Sequence, residues 1–456
     1  MSDDKRPALS PGDYRIPESS PFAQAWKMAA AVGAIGIVCA IAGYSIDHRR
    51  FAFAYLMGFV TVMTMALGSI FFVLVQHLTS AGWSVTVRRA SEFFIAGVVI
   101  IPLLALPNLL NLEHLYPWWH AGDEDVAHAQ AHGEPGGEHE GHGHGATARA
   151  EHGGGEAEHG AAAGGHHGPE GKLHADTLAK KLAFLNPSFF YIRGVIYLLV
   201  WLWLASRLFG YSTKQDANGD PGFTVKLQRV APGATILFAL SLTFAGFDWL
   251  MSLEPNWFST MFGVRVFAAS AVLGLALNIL LSLGFRRSGV SKDTINVEHF
   301  HDLGKLMFAF LVFWAYISFS EFFLIWYAAI PEETLYYHRR WDVSSWQWIS
   351  ISLVTIKFIM PFFLVMSRNA KRSLGLLGLG AGWLVVMHLV EMYYWVMPYY
   401  QEGEVAFSLT GFVTDLGCVF ACVGLYLAVV FRRMLNHPVI PVRDPRLGRA
   451  IGFVNA

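Results

Sequence analysis

The chain has 456 residues, of which 54% are hydrophobic, 14% aromatic and only 15% charged, a balance too apolar for a soluble globular protein of this length. A formal net charge of −1 leaves no electrostatic footprint for a nucleic-acid partner. Cys39, Cys418 and Cys422 all fall in apolar runs and form no C-x-x-C pair, haem-attachment sequence or four-cysteine cluster, so no iron–sulfur cluster, c-type haem or metal site is expected on this chain.

A polar, proline-containing segment over 1–26 comes first, with no apolar h-region and small-residue cleavage site, so no secretory signal is read there. Ten apolar runs then follow, near 27–46, 52–78, 93–111, 189–210, 231–253, 260–284, 305–330, 346–366, 374–397 and 408–431. Each is long enough to cross a hydrocarbon core of about 30 Å as a helix of roughly 20 residues. The expected fold is an all-α integral membrane protein. Helices one to three occupy 27–111, a long loop 112–188, helices four to ten 189–431, and a tail 432–456. Small residues such as Gly33, Gly36, Gly58, Gly68, Gly378, Gly380 and Gly382 permit close helix packing in lipid.

Of the 33 basic residues, only Arg49, Arg50, Arg149, Lys172, Lys180, Lys181, Arg339 and Arg340 fall in connections on the side away from the termini. Arg193, Arg265 and Lys357 are intramembrane, and the rest lie on the terminal side. Basic residues collect in cytoplasmic loops, so both termini are expected in the cytoplasm. The loop over 112–188 holds twelve of the 19 histidines in a tract rich in Gly, His, Glu and Ala. Imidazoles beside carboxylates suit loose Zn or Cu binding. The irregular spacing does not match a closed zinc site, and the composition fits an insert with too few apolar groups to fold.

The spans contain Arg193, Asp248, Arg265, Glu321, Lys357, His388, Glu391 and Asp415. Charge at membrane depth costs about 2.5–3.5 kcal/mol per residue on insertion scales, so a grouped set points to a protein interior, a water path or a ligand site. With 1.5 Å per helical residue, Lys357 falls near the midplane and the other seven about 3–10 Å toward the face opposite the termini. Arg193, Arg265 and Lys357 stand against Asp248, Glu321, Glu391 and Asp415, which leaves one carboxylate in excess. Burial favours its protonated form.

His388 and Glu391, at i and i+3, share a helix face and form the expected proton-handling pair. Lys357 precedes Pro361 by four residues, so the missing proline N–H deprives the Lys357 carbonyl of its usual helix partner and a kink is expected there. The competing reading is a set of fixed ion pairs with no turnover role. Haem ligation by His77 and His388 is disfavoured because their expected depths differ by roughly 20 Å. The aromatic runs "FWAYISFSEFFLIWY" and "EMYYWVMPYY" read as interface or packing surface unless they surround the polar layer.

Three stretches, "GSIFFVLVQHLTSAGWSVTVRRASE" at 68–92, "FDWLMSLEPNWFSTMFGV" at 247–264 and "HDLGKLMFAFLVFWAYISFSEFFLIWYAAIPEETLYY" at 301–337, resemble the ActF-type membrane subunit of bacterial alternative complex III, within the NrfD/PsrC-like family of polytopic quinone-associated subunits. The resemblance covers most of the chain outside the His-rich insert and the termini. It implies two four-helix bundles flanked by the first and last spans. It also implies a bacterial inner-membrane complex that oxidises quinol, with electrons carried by iron–sulfur and haem c subunits and a related polytopic subunit alongside.

On that basis Glu321, His388, Glu391 and Asp415 are the expected proton-transfer residues, with Arg193, Asp248, Arg265 and Lys357 as compensating partners. No catalytic residue is assigned. The other readings are direct quinol binding by this chain and a purely structural anchor. The related ActC-type subunit usually carries a Gly-His-Ala-Gly-Thr-like element where this chain has "VQHLTSAGWS" around His77, which weighs toward the proton or scaffold role.

Overall fold

The computed structural model describes residue 12 and residues 14–119, 180–342, 344–401 and 408–454. The His-rich tract, with its expected metal or low-complexity character, lies outside the described residues. Among the described residues ten helices are long and apolar enough to cross a membrane, and we number them in chain order. They are α1 Pro21–Ile46, α2 His48–Leu78, α3 Val85–Leu109, α4 Pro187–Asn218, α5 Gly222–Leu253, α6 Phe262–Arg287, α7 Val297–Ala328, α8 Ser345–Met366, α9 Leu374–Tyr399 and α10 Leu409–Met434. We call the face where α1 begins and α10 ends the terminal face, and the other the distal face.

Local sequence sets several starts. Ser20 and Asn186 cap α1 and α4, each followed by proline at the first helical position. There the missing N–H is one the helix cannot use anyway. Asn296 opens α7 in a capping box with His299, and Gly219 at φ 74° ends α4 in the left-handed conformation that glycine adopts without a Cβ clash.

Several helices run past their apolar stretch at the terminal face. The beginnings of α3, α5 and α7 and the end of α4 extend eight or nine residues beyond the expected bounds. Hydropathy measures the hydrocarbon crossing, whereas backbone hydrogen bonding carries a helix on into the headgroup region.

Neighbouring contacts close two rings. α2, α3, α4 and α5 pack in succession with α5 returning to α2, and α6, α7, α8 and α9 do the same with α9 returning to α6. These are the two expected four-helix bundles. α1 pairs along α10 and touches α2, and α10 in turn packs on α2 and α3.

The bundles join where α2 crosses α6, and both of these helices are almost wholly buried. At that crossing a Cβ on Gly68 would overlap the Ser270 carbonyl, and one on Gly274 would overlap the Gly68 backbone. Since lipid tails are as apolar as leucine, van der Waals contact of this closeness is what holds helices together in a bilayer. Gly33 and Gly36 play the same part against α10, whereas a Cβ on Gly382 would meet nothing within 4 Å.

Candidate functional site

All eight intramembrane ionisable residues are buried; seven of them, together with Arg50, stand as four ion pairs, and His388 lies beside one of these. In the first bundle Arg193 of α4 grips Asp248 of α5 with two hydrogen bonds, Nε to Oδ2 at 2.8 Å and Nη2 to Oδ1 at 2.9 Å. The Tyr197 hydroxyl donates to the same carboxylate at 2.6 Å, and Arg193 Nη1 donates to the Phe184 carbonyl at 2.9 Å. The guanidinium also lies over the Phe184 and Phe189 rings, 3.8 and 4.3 Å from their centroids.

Asp415 of α10 has a partner the sequence reading placed in a loop. Arg50, in the first turn of α2, donates through Nε at 3.1 Å and Nη2 at 2.7 Å to its two carboxylate oxygens. The expected excess carboxylate is therefore absent, because a fourth cation turns inward from the helix end. A long arginine at a helix start can reach a full turn deeper than its Cα, so Arg50 counts with the buried layer.

The second bundle holds the other two pairs. Arg265 of α6 donates to Glu321 of α7 at 3.0 Å, and the Ser259 hydroxyl donates to the other Glu321 oxygen at 2.6 Å. Tyr337, on the short distal-face helix Pro331–Trp341, lies 3.5 Å from Glu321, and burial with that neighbouring carboxylate pushes its phenol upward. Near the midplane Lys357 of α8 bonds directly to Glu391 of α9. Glu391 also accepts the Trp314 indole N–H at 2.6 Å, and the ammonium sits 4.2 Å over that ring.

The helix around Lys357 is a π-turn over Leu353–Ile359, in which the Met360 N–H reaches back to the Thr355 carbonyl. The extra residue per turn absorbs the proline defect that the sequence reading expected as a kink, and the widened turn carries Lys357.

His388 completes this group. Its Nδ1 lies 3.6 Å from Glu391 Oε2, and its Nε2 is 2.8 Å from the Thr64 hydroxyl of α2. Thr64 in turn donates to the Val60 or Thr61 carbonyl. Both neutral tautomers satisfy the Thr64 contact, but only the Nδ1–H form also turns a donor toward Glu391. With the proton on Nε2 the ring donates to Thr64 and turns an acceptor toward Glu391. With it on Nδ1 the hydroxyl rotates to donate to Nε2. A histidine between a carboxylate and a hydroxyl can take a proton at one nitrogen and release it at the other. His388 is thus a polar link between the two bundles. His77 is on the same helix as Thr64 but about 20 Å away along its axis.

A cavity of about 590 Å³ opens between α7 and α8. Trp314, Ser318, Phe319 and Phe322 line it from α7, and Ser350, Val354 and Phe358 from α8. Arg265, Tyr337, Arg340 and Tyr394 also line it. Both aromatic runs of the sequence therefore contribute to its wall, beside the polar layer. Arg340, which lies outside the apolar runs of the sequence, is fully buried. It stacks 3.6 Å from the Tyr336 ring centroid and donates to the carbonyls of Tyr336, Tyr394 and Trp395.

A second charged network went unread because it lies in the helical extensions at the terminal face. Glu92 accepts from Arg88 at 2.8 Å and from the Ser212 hydroxyl at 2.7 Å, and pairs with Arg89 at 3.3 Å. Arg89 also binds Asp216 at the end of α4. Asp444, in the C-terminal tail, joins Arg88 at 2.9 Å and Arg446 at 3.1 Å. Burial alone would raise the Asp444 carboxyl, but the Arg88 and Arg446 guanidiniums hold it well below the usual carboxylate range.

Among the described residues no cluster of three or more His, Cys, Asp or Glu could hold a metal ion. The fold and these sites define a ten-span membrane protein with ion-paired layers near both faces. No family model matches the sequence, and no curated protein matches it.

Proposed function

We propose that this chain is an ActF-type membrane subunit of an alternative complex III, lying in the bacterial inner membrane with both termini cytoplasmic. In this reading it contributes a proton half-path and a scaffold to quinol oxidation in the neighbouring polytopic subunit. Iron–sulfur and haem c subunits carry the electrons. The three quoted stretches support the assembly, and the excess of basic residues on the terminal side supports the orientation.

The observation that carries the proton role is the Lys357, Glu391 and His388 group with its Thr64 contact on the other bundle. A carboxylate, an ammonium and an imidazole held in a dry interior can rearrange one proton without a net change of charge, which is what a step in a relay needs. Glu321 and Asp415 are further protonatable stations nearer the distal face, each beside an arginine. Quinol oxidation releases protons along with electrons, so such a set beside the redox site can couple the two.

The test is the proton-to-electron ratio of the reconstituted complex. Glu391→Gln keeps an acceptor for the Trp314 indole and removes the titrating oxygen. It should lower proton translocation severalfold while quinol oxidation falls far less. A ratio equal to that of the parent complex in both Glu391→Gln and Asp415→Asn would overturn the relay and leave the scaffold.

A further inference from the structure

We infer that a groove between α9 and α10, in the distal half of the membrane, is a binding site for one acyl chain of a distal-leaflet phospholipid. The inference goes beyond the relay and does not depend on it. The opening comes first. Val390 and Tyr393 of α9 face Phe412 and Leu416 of α10 across a groove of about 340 Å³, with the buried Met57 and Val419 at its floor. Phe412 is 46% exposed and belongs to a membrane-spanning segment, so the groove opens sideways on hydrocarbon.

Its dimensions decide between a lipid chain and a helix. Along α10 the lining runs from Ser408 to Val419, about 16 Å at 1.5 Å per residue. That is close to one leaflet of a hydrocarbon core about 30 Å thick, whereas a partner's transmembrane helix would lie along the whole thickness. Spread over that length, the volume leaves a mean cross-section of about 20 Å², against roughly 80–110 Å² for a helix about 10–12 Å across. The groove is the width of a single chain.

The order of its lining selects an amphiphile. Arg50, in the first turn of α2, and Ser408, the cap of α10, stand at the distal end. Further in, Asp415 has both oxygens taken by Arg50. A water needs about 2–4 polar partners to stay in a cavity, and the deep walls at Leu389, Leu416 and Val419 supply none. Left empty, those walls would forfeit their dispersion contacts. A guanidinium and a hydroxyl above an apolar trough match a phosphate joined to a hydrocarbon chain. A chain seated here also lies against the Arg50–Asp415 pair and keeps water from it on that side.

The test is photolabelling of the intact complex in nanodiscs with a rising mole fraction of phosphatidylethanolamine that carries a diazirine midway along one acyl chain, followed by peptide mapping. Labelling over 389–393 and 412–419 should saturate, and at low mole fraction it should exceed by about tenfold that over 236–240. There Ile236 and Leu240 of α5 are 63% and 52% exposed, and labelling should rise in simple proportion. Val390→Trp and Leu416→Trp, which fill the groove from opposite walls, should each cut its labelling by about tenfold. Val354→Trp, in the cavity between α7 and α8, should leave it unchanged. Proportional labelling of the groove in the parent complex, labelling unaffected by both groove variants, or a partner subunit's helix cross-linked into the groove with no lipid label there would overturn the inference. The first of these needs no variant, so the inference stays open to refutation even where a substitution blocks assembly. Because the readout is lipid binding, an altered proton-to-electron ratio has no bearing on it.

Discussion

Arg193–Asp248 in the first bundle and Lys357–Glu391 in the second are buried pairs on facing helices, yet their surroundings differ in kind. The first is a closed clamp. Two parallel N–H···O bonds, a tyrosine hydroxyl and a backbone carbonyl use up its polar atoms, and aromatic rings cover the guanidinium. The second is an open group, in which a single ammonium and an indole hold the carboxylate and a histidine waits at 3.6 Å with its far nitrogen on another helix. Bidentate arginine geometry fixes two helices in register. In the proposed relay, a lysine on a π-turn beside a histidine is what would let a proton choose among sites. Burial of charge is thus not itself the mark of function, and the unused valences around the charge distinguish the two cases.

The largest expected effect breaks the clamp. Asp248→Leu leaves Arg193 buried without its counter-ion, a change that costs about 3–5 kcal/mol in buried pairs. It should lower the thermal midpoint and the yield of assembled complex. In the fraction that assembles, the proton-to-electron ratio should equal that of the parent. A changed ratio there would mean that the clamp also handles protons and would erase the contrast between the bundles.

A smaller effect sharpens the open group. Thr64→Val is close to isosteric and removes the hydroxyl that meets His388 Nε2 at 2.8 Å, a loss of about 0.5–1.5 kcal/mol in stability. The proton-to-electron ratio should drop well before stability does, and Thr64→Ser should restore it. Equal loss of both in the two variants would reduce His388 to a packing residue.

How far these sites could be read in the sequence follows from where each charge sits. The ten spans and the eight embedded ionisable residues were legible because charge stands out against an apolar run. The pairings were not, since spacing along the chain carries no information about which helices meet. Arg50 and Arg340 were missed because each lies outside an apolar run and its long side chain turns inward. The Glu92 and Asp216 network was hidden more thoroughly, as charges in a helical extension look like loop charges. The motif that could have found it is Arg88, Arg89 and Glu92 at helical spacing, with i,i+3 and i,i+4 partners on one face. The aromatic runs were ambiguous until the structure set both against one cavity.

The terminal-face network makes a third comparison, because it lies near water, where bulk pH reaches its groups directly. His437 sits beside the end of α10 with its ring edge against Phe209, 5.2 Å between centroids. Burial and the nearby Arg89, Arg433 and Arg15 push its imidazole down to about 4 from an ordinary value of 6.5. The unfolded chain then binds this proton at a higher pH than the folded one. Its contribution to stability is complete above about pH 6.5 and is lost progressively as the pH falls toward 4. Asp444, held low, acts in the same direction in a more acidic window, with stability present above its ordinary value of 3.8 and lost as the pH falls below that. Thermal unfolding scanned from pH 7 to 4 should therefore show a falling midpoint, and His437→Gln should flatten that slope. The effect is the smallest of the three, since the ring is only half-buried and solvent screens its arginine neighbours. An unchanged slope in His437→Gln would place the acid sensitivity elsewhere and leave the terminal network pH-insensitive across that window.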